Sequence, residues 1–230
     1  MRKSYGVGIA TAILVGLATL TAEAAPIGVP AAMTGAGKTR VGMEVNLMMD
    51  RDLTGGVSTA ESSQIFAKGT IGVDNRLDLE FRLGFADFRV DGPGPDIDTD
   101  IGPAFGIGLK TTWATIPQSN LKIGSVFQTT RVRAEDNSIR FGFSEYDAAL
   151  GVALDLTTHG AARRNTTQIA LTPYGGFAWS GLDIDGSAAE DDSFGLFLGL
   201  QATTDSPVGF GVEVRLIDQT AISLNAGMAF

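Results

Sequence analysis

Cysteine is absent from this 230-residue chain, and histidine occurs once. Without cysteine there is no disulfide framework, no thiolate metal centre and no cysteine nucleophile. The single histidine, His159, cannot build a multi-histidine metal site or, alone, a His-dependent hydrolase. Charge is scarce too, at 19% of residues against roughly 25% in ordinary globular chains, which excludes a disordered acidic chain. Basic residues are the minority, 17 against 26 acids, for a net charge of −9. That balance argues against a nucleic-acid partner. Long apolar runs are missing as well. Past the N-terminal region, no stretch approaches the roughly 20 apolar residues of a membrane helix.

The N-terminal region has its own logic. Arg2 and Lys3 precede a short apolar stretch, Gly6 to Leu20, and Ala22-Glu23-Ala24 supplies a small-x-small cleavage pattern. Residues 1–24 are therefore expected to be a signal peptide, with the mature chain starting at Ala25. Residues 25–37, rich in Ala, Gly and Pro, are expected to form a flexible lead-in, with a plug as the alternative.

From about residue 40 onward the hydropathy period is two. In Leu77-Asp78-Leu79-Glu80-Phe81-Arg82-Leu83-Gly84-Phe85 the large apolar residues share one face, and two acids, an arginine and a glycine share the other. A helix would scatter those charges around its circumference, whereas a strand gathers them on one side. Val41, Met43, Val45, Leu47 and Met49 repeat the pattern, as do Ile101, Phe105, Ile107 and Leu109. The spacing predicts about ten strands, with eight as the alternative, each of roughly 9 to 14 residues. That is long for a soluble sandwich and suits the 9–11 tilted residues that cross a bilayer. Outer loops are expected near 51–63, 91–100, 131–145, 183–192 and 218–220.

Alternation alone fits a soluble sandwich or a membrane barrel. The final strand, Ala221 to Phe230, alternates and ends on an aromatic. Here the chain resembles Gram-negative outer-membrane β-barrel proteins, among them the small OmpA-like and porin-like barrels. The resemblance implies a closed antiparallel all-β barrel over residues 38–230, set in the outer membrane. It also implies contact with lipid and lipopolysaccharide, and recognition of the last strand and Phe230 by the barrel-assembly machinery. Phe85, Phe88, Tyr146, Trp179 and Phe194 toward one rim, and Trp113, Phe210 and Phe230 toward the other, are expected to form two interfacial girdles.

Eleven charges are expected to face the lumen and pair there: Glu44, Lys68, Asp78, Glu80, Arg82, Lys110, Lys122, Asp147, Asp155, Glu213 and Arg215. Buried charges must pair or stay hydrated. Inward glycines, including 106, 108, 124, 151, 195, 199 and 211, either admit water or relieve crowding. Asp96, Asp98 and Asp100 start like a calcium loop, but Ile101 and Ile107 stand where its Gly and Glu belong, so they are weak candidates. No catalytic set is present and no cofactor is implied. The expected function is non-enzymatic, a structural or surface-interaction barrel with an ion-paired lumen. The alternative is a narrow channel for small solutes or ions.

Overall fold

The computed structural model describes residues 26–51, 53, 59–92, 97–136, 139–157, 169–184, 188–189, 193–204, 207–216 and 219–230. The signal-peptide residues, His159 and Asp96 lie outside these. Ten long strands make the barrel: β1 (Thr39–Arg51), β2 (Thr59–Asp74), β3 (Leu77–Ala86), β6 (Gly102–Ile116), β7 (Leu121–Asp136), β8 (Ile139–Leu154), β10 (Ile169–Ile184), β12 (Ser193–Thr204), β13 (Val208–Leu216) and β14 (Gln219–Ala229). Four short ones decorate it: β4 (Arg89–Asp91), β5 (Ile97–Asp98), β9 (Leu156–Thr157) and β11 (Ala188–Ala189). Each long strand pairs antiparallel with its sequence neighbours, and β1 closes the ring against β14 on one side and β2 on the other. The fold is a closed ten-stranded antiparallel β-barrel.

Burial follows the period-two pattern with its usual sense inverted. In β3 the polar positions Asp78, Glu80 and Arg82 are buried, while Leu83 is 69% and Phe85 57% exposed. Phe105, Ile107, Phe127, Phe177 and Leu198 on neighbouring strands are likewise exposed. A soluble sandwich buries its apolar faces against each other. A barrel that hides its charges and displays Leu, Ile and Phe has hydrocarbon as its outer solvent. The sandwich alternative is therefore excluded.

The strands outrun their expected bounds. β7 and β8 reach 16 residues each, with only 137–138 between them, so most of the expected loop 131–145 is ladder. Sixteen residues at about 3.3 Å rise and about 45° tilt stand roughly 37 Å tall, against an apolar band of about 25 Å. This hairpin therefore projects beyond the membrane. Ladders saturate its backbone groups there, which is why polar residues such as Arg131, Arg133 and Glu135 can continue a strand that composition alone would end.

Candidate functional site

The candidate site is the lumen, and it is full. Its charged layer comes from inward positions of β1, β2, β3, β6, β8 and β13. Glu80 sits among three cations: Lys68 at 3.1 Å, Lys110 at 3.3 Å and Arg82 at 3.7 Å. Glu44 on β1 meets Lys68 at 3.0 Å and Arg82 Nε at 3.2 Å. Register explains the grouping, because Lys68 lies opposite Arg82, and Glu80 opposite Gly108, one step from Asp78–Lys110. Arg215 meets Asp147 at 2.7 Å. Gln128 links the groups, donating to Asp147 at 3.0 Å and accepting from Arg82 at 2.7 Å.

Two expected lumen acids are engaged differently. Glu213 accepts the backbone N–H groups of Ile27 and Gly28, each at 2.7 Å, and the Tyr174 hydroxyl at 3.0 Å. Asp78 accepts the N–H groups of Met33 and Thr34 at 2.8 and 3.0 Å. Thr112 accepts from Ala32 at 2.9 Å, while Arg82 and Gln128 donate to the Pro26 carbonyl. Residues 26–34 thus lie inside the barrel, with Ile27, Val29, Ala31 and Ala32 buried. An unpaired extended segment needs partners for its N–H groups, and the lumen carboxylates supply them.

The inward glycines now have a use. A Cβ at Gly124 would lie 2.2 Å from the Pro30 carbonyl oxygen, and one at Gly151 would lie 2.9 Å from the Pro30 ring. Gly199 clears the way for Tyr174, its cross-strand partner on β10. These positions are hollows shaped to the segment and to an aromatic, not to water.

The other half of the lumen holds an apolar cluster. Met48, Phe66, Phe88, Val132, Phe143 and Leu182 form one buried cluster, with the Phe88 and Phe143 rings 4.6 Å apart. Phe88, expected in an outward girdle, is instead buried within this cluster. The girdle candidates Phe85, Trp113, Tyr146, Trp179, Phe194, Phe210 and Phe230 are all exposed on the outer face or at a rim.

Lys122 and Asp155 pair at 3.0 Å but stay partly exposed at a rim, apart from the charged layer. Asp98 pairs with Arg89 at 2.8 Å on the surface, and the Asp100 N–H donates to the Glu135 carbonyl. Arg89 holds its proton more tightly than usual because of the Asp98 hydrogen bond. Among the described residues no group of three or more acids or histidines is placed to hold a metal.

Sequence reasoning missed the buried ion pair Arg51–Glu145, at 2.9 Å. Strict alternation after Glu44, Asn46 and Met48 would turn Asp50 inward and Arg51 outward. A bulge between Met48 and Asp50 shifts the face by one. Glu145 was hidden by its place at the end of an expected loop.

No protein-family model matches the chain, and no curated protein matches it. Among solved structures the chain is similar to the transport unit of the autotransporter AIDA-I from Escherichia coli, at 11% identity over 83% of this chain and 88% of that one, with a TM-score of 0.46. It is similar to the beta domain of the Bordetella autotransporter BrkA, at 12% identity over 84% and 98%, with a TM-score of 0.43. It is also similar to the outer membrane protease OmpT from Escherichia coli, at 10% identity over 90% and 99%, with a TM-score of 0.35. The closed β-barrel with its apolar outer wall is shown by this chain's own ladder and burial. Transport or proteolysis belongs to those proteins' descriptions and does not pass to this chain at such distances.

Proposed function

We propose that this protein is a closed, non-enzymatic barrel of the Gram-negative outer membrane. It is exported by its N-terminal signal and assembled through its last strand and Phe230. Its role is structural or surface-interacting, played by the projecting hairpins and the lipid-facing wall toward lipid and lipopolysaccharide. The observation that carries this reading is the double filling of the lumen. Residues 26–34 occupy one half, held by Glu213, Asp78 and Thr112, and the Phe66–Phe88–Phe143 cluster lies in the other. A ten-stranded barrel has little interior to spare, and here side chains and a chain segment use it.

The test is osmotic swelling of proteoliposomes in small sugars and amino acids. The closed reading predicts swelling no faster than protein-free vesicles. Swelling that falls with solute size would replace it with the channel reading.

A further inference from the structure

We infer that the cavity beside the N-terminal segment is a binding site for a small zwitterion, an α-amino acid of about glycine's size. The cavity measures about 60 Å³. It is lined by Gly28 to Thr34 of the segment and by β1 and β12–β14, with side chains from β2, β3 and β6 completing it. Thr34, Arg40 and Gly227 line it and are partly exposed, whereas Glu80 and Lys110 line it and are buried. Arg40 stands one residue into β1, opposite Ala229 at the end of β14. The cavity therefore meets water at the rim where β1 begins, and its inner end lies in the charged layer.

Its lining has both acceptors and donors left over. Asp78 uses Oδ2 for the Met33 and Thr34 N–H groups, while its buried Oδ1 has no hydrogen-bond partner among the described residues. Glu80 turns Oε1 to Lys68 and Lys110, at 3.1 and 3.3 Å, and its buried Oε2 likewise accepts no hydrogen bond. On the donor side, Lys110 has three N–H groups and pairs with one carboxylate, Glu80. Arg40 is attracted by Glu80 and Asp78 but hydrogen-bonds to neither. Buried polar atoms without partners are costly, so an occupant that serves both kinds gains from both.

Charge and size then select the ligand. Three cations, Arg40, Lys68 and Lys110, share the lining with two carboxylates, Asp78 and Glu80. A free anion would satisfy the cations but press its charge on Asp78 and Glu80. A metal ion would do the reverse. A molecule with both ends and no net charge answers both: its ammonium donates to Asp78 Oδ1, and its carboxylate accepts from the Arg40 guanidinium, which suits a bidentate pair. At about 10–15 Å³ for each water, the cavity offers about four to six water-sized positions. Glycine, with five non-hydrogen atoms, matches that space, and a branched side chain exceeds it. This site goes beyond the closed-barrel reading and does not depend on it, since a ligand enters and leaves by the same rim.

The test is ligand-observed saturation-transfer NMR on the folded protein in deuterated micelles, with glycine as the probe, a method suited to the weak affinity that so few atoms allow. Glycine is expected to show saturable transfer from the protein. Acetate and methylammonium, which carry one end each, should compete at least tenfold more weakly, and valine should not compete. Arg40→Gln, verified as folded by its heat-dependent gel shift, is expected to weaken glycine binding tenfold or more. The ligand series on the unmodified protein decides the matter even where that variant does not fold. Absence of transfer to glycine would mean that the cavity holds water only and would overturn the proposal. So would acetate or methylammonium competing as well as glycine does, or full glycine binding by folded Arg40→Gln. None of these results bears on swelling, so failure here is distinguishable from failure of the closed-barrel reading.

Discussion

Glu213→Ala addresses the bond set that seats the N-terminal segment. The wild-type carboxylate takes three hydrogen bonds in a buried setting, two from successive backbone N–H groups and one from Tyr174. Alanine removes the acceptor and leaves the Ile27 and Gly28 donors facing a cavity. Leaving a buried donor unpaired costs about 1–3 kcal/mol, more where the lost partner was charged, although water entering the new space restores part. Taking about 3 kcal/mol in all, the docking equilibrium of the segment weakens by roughly a hundredfold. Asp78→Asn acts at the other end, on Met33 and Thr34, and should leave Ile27 and Gly28 nearly as they were. The assay is amide hydrogen exchange by mass spectrometry on the folded protein in micelles, read on a peptide covering 26–36. Wild type should protect that peptide. Glu213→Ala should speed its exchange by about two orders of magnitude while the strand peptides keep their protection. Unchanged protection of 26–36 in Glu213→Ala would refute the claim that the carboxylate holds the segment.

Other consequences follow from the same geometry. Arg51→Met leaves Glu145 buried without its 2.9 Å partner and should cost about 3–5 kcal/mol in urea unfolding from micelles, whereas Arg51→Met with Glu145→Met should recover most of it. If the double variant is as unstable as the single, the pair is not the source of the loss. Leu83→Lys puts a charge on the lipid face and should cost about 2–4 kcal/mol when folding into bilayers is measured; no cost would mean that this face does not meet hydrocarbon. Gly28→Ala forces a left-handed residue, φ 69°, and sets a Cβ 2.6 Å from Lys110 Nζ. A loss of about 1–2 kcal/mol should lower the midpoint of the heat-dependent gel shift by a few degrees, and an unchanged midpoint would contradict the tight seating of Gly28.

The barrel was readable because period-two burial is written residue by residue, as in Leu77 to Phe85, where every second side chain changes solvent. The membbrane setting was readable for a related reason, since strands this long with this little charge have few other solvents. The lumen was readable only in part. Glu44, Lys68, Glu80, Arg82 and Lys110 came together as alternation required, because register within hairpins carries them to one level. Arg51 did not, because a bulge resets alternation without any mark in composition. Glu213 and Asp78 were correctly turned inward, yet their partners are backbone N–H groups of a segment with almost no side-chain signature. Pro30 fits over Gly124 and Gly151 through shape, and shape between distant segments is not written in local pattern. Phe66, Phe143 and Phe197 escaped notice since inward phenylalanines break the polar-lumen rule, although their parity against Ile65, Tyr146 and Leu198 places them inside.

Single-molecule current recording across a planar bilayer tests the central claim most directly. Purified protein, shown by its heat-dependent gel shift to be folded, is inserted at high salt and held at voltages of both signs. A barrel filled by residues 26–34 on one side and by the Phe66–Phe88–Phe143 cluster on the other should insert without discrete current steps. Reproducible, ion-selective steps from the unmodified protein would contradict the account, and would make the lumen charges around Glu80 the lining of a pore.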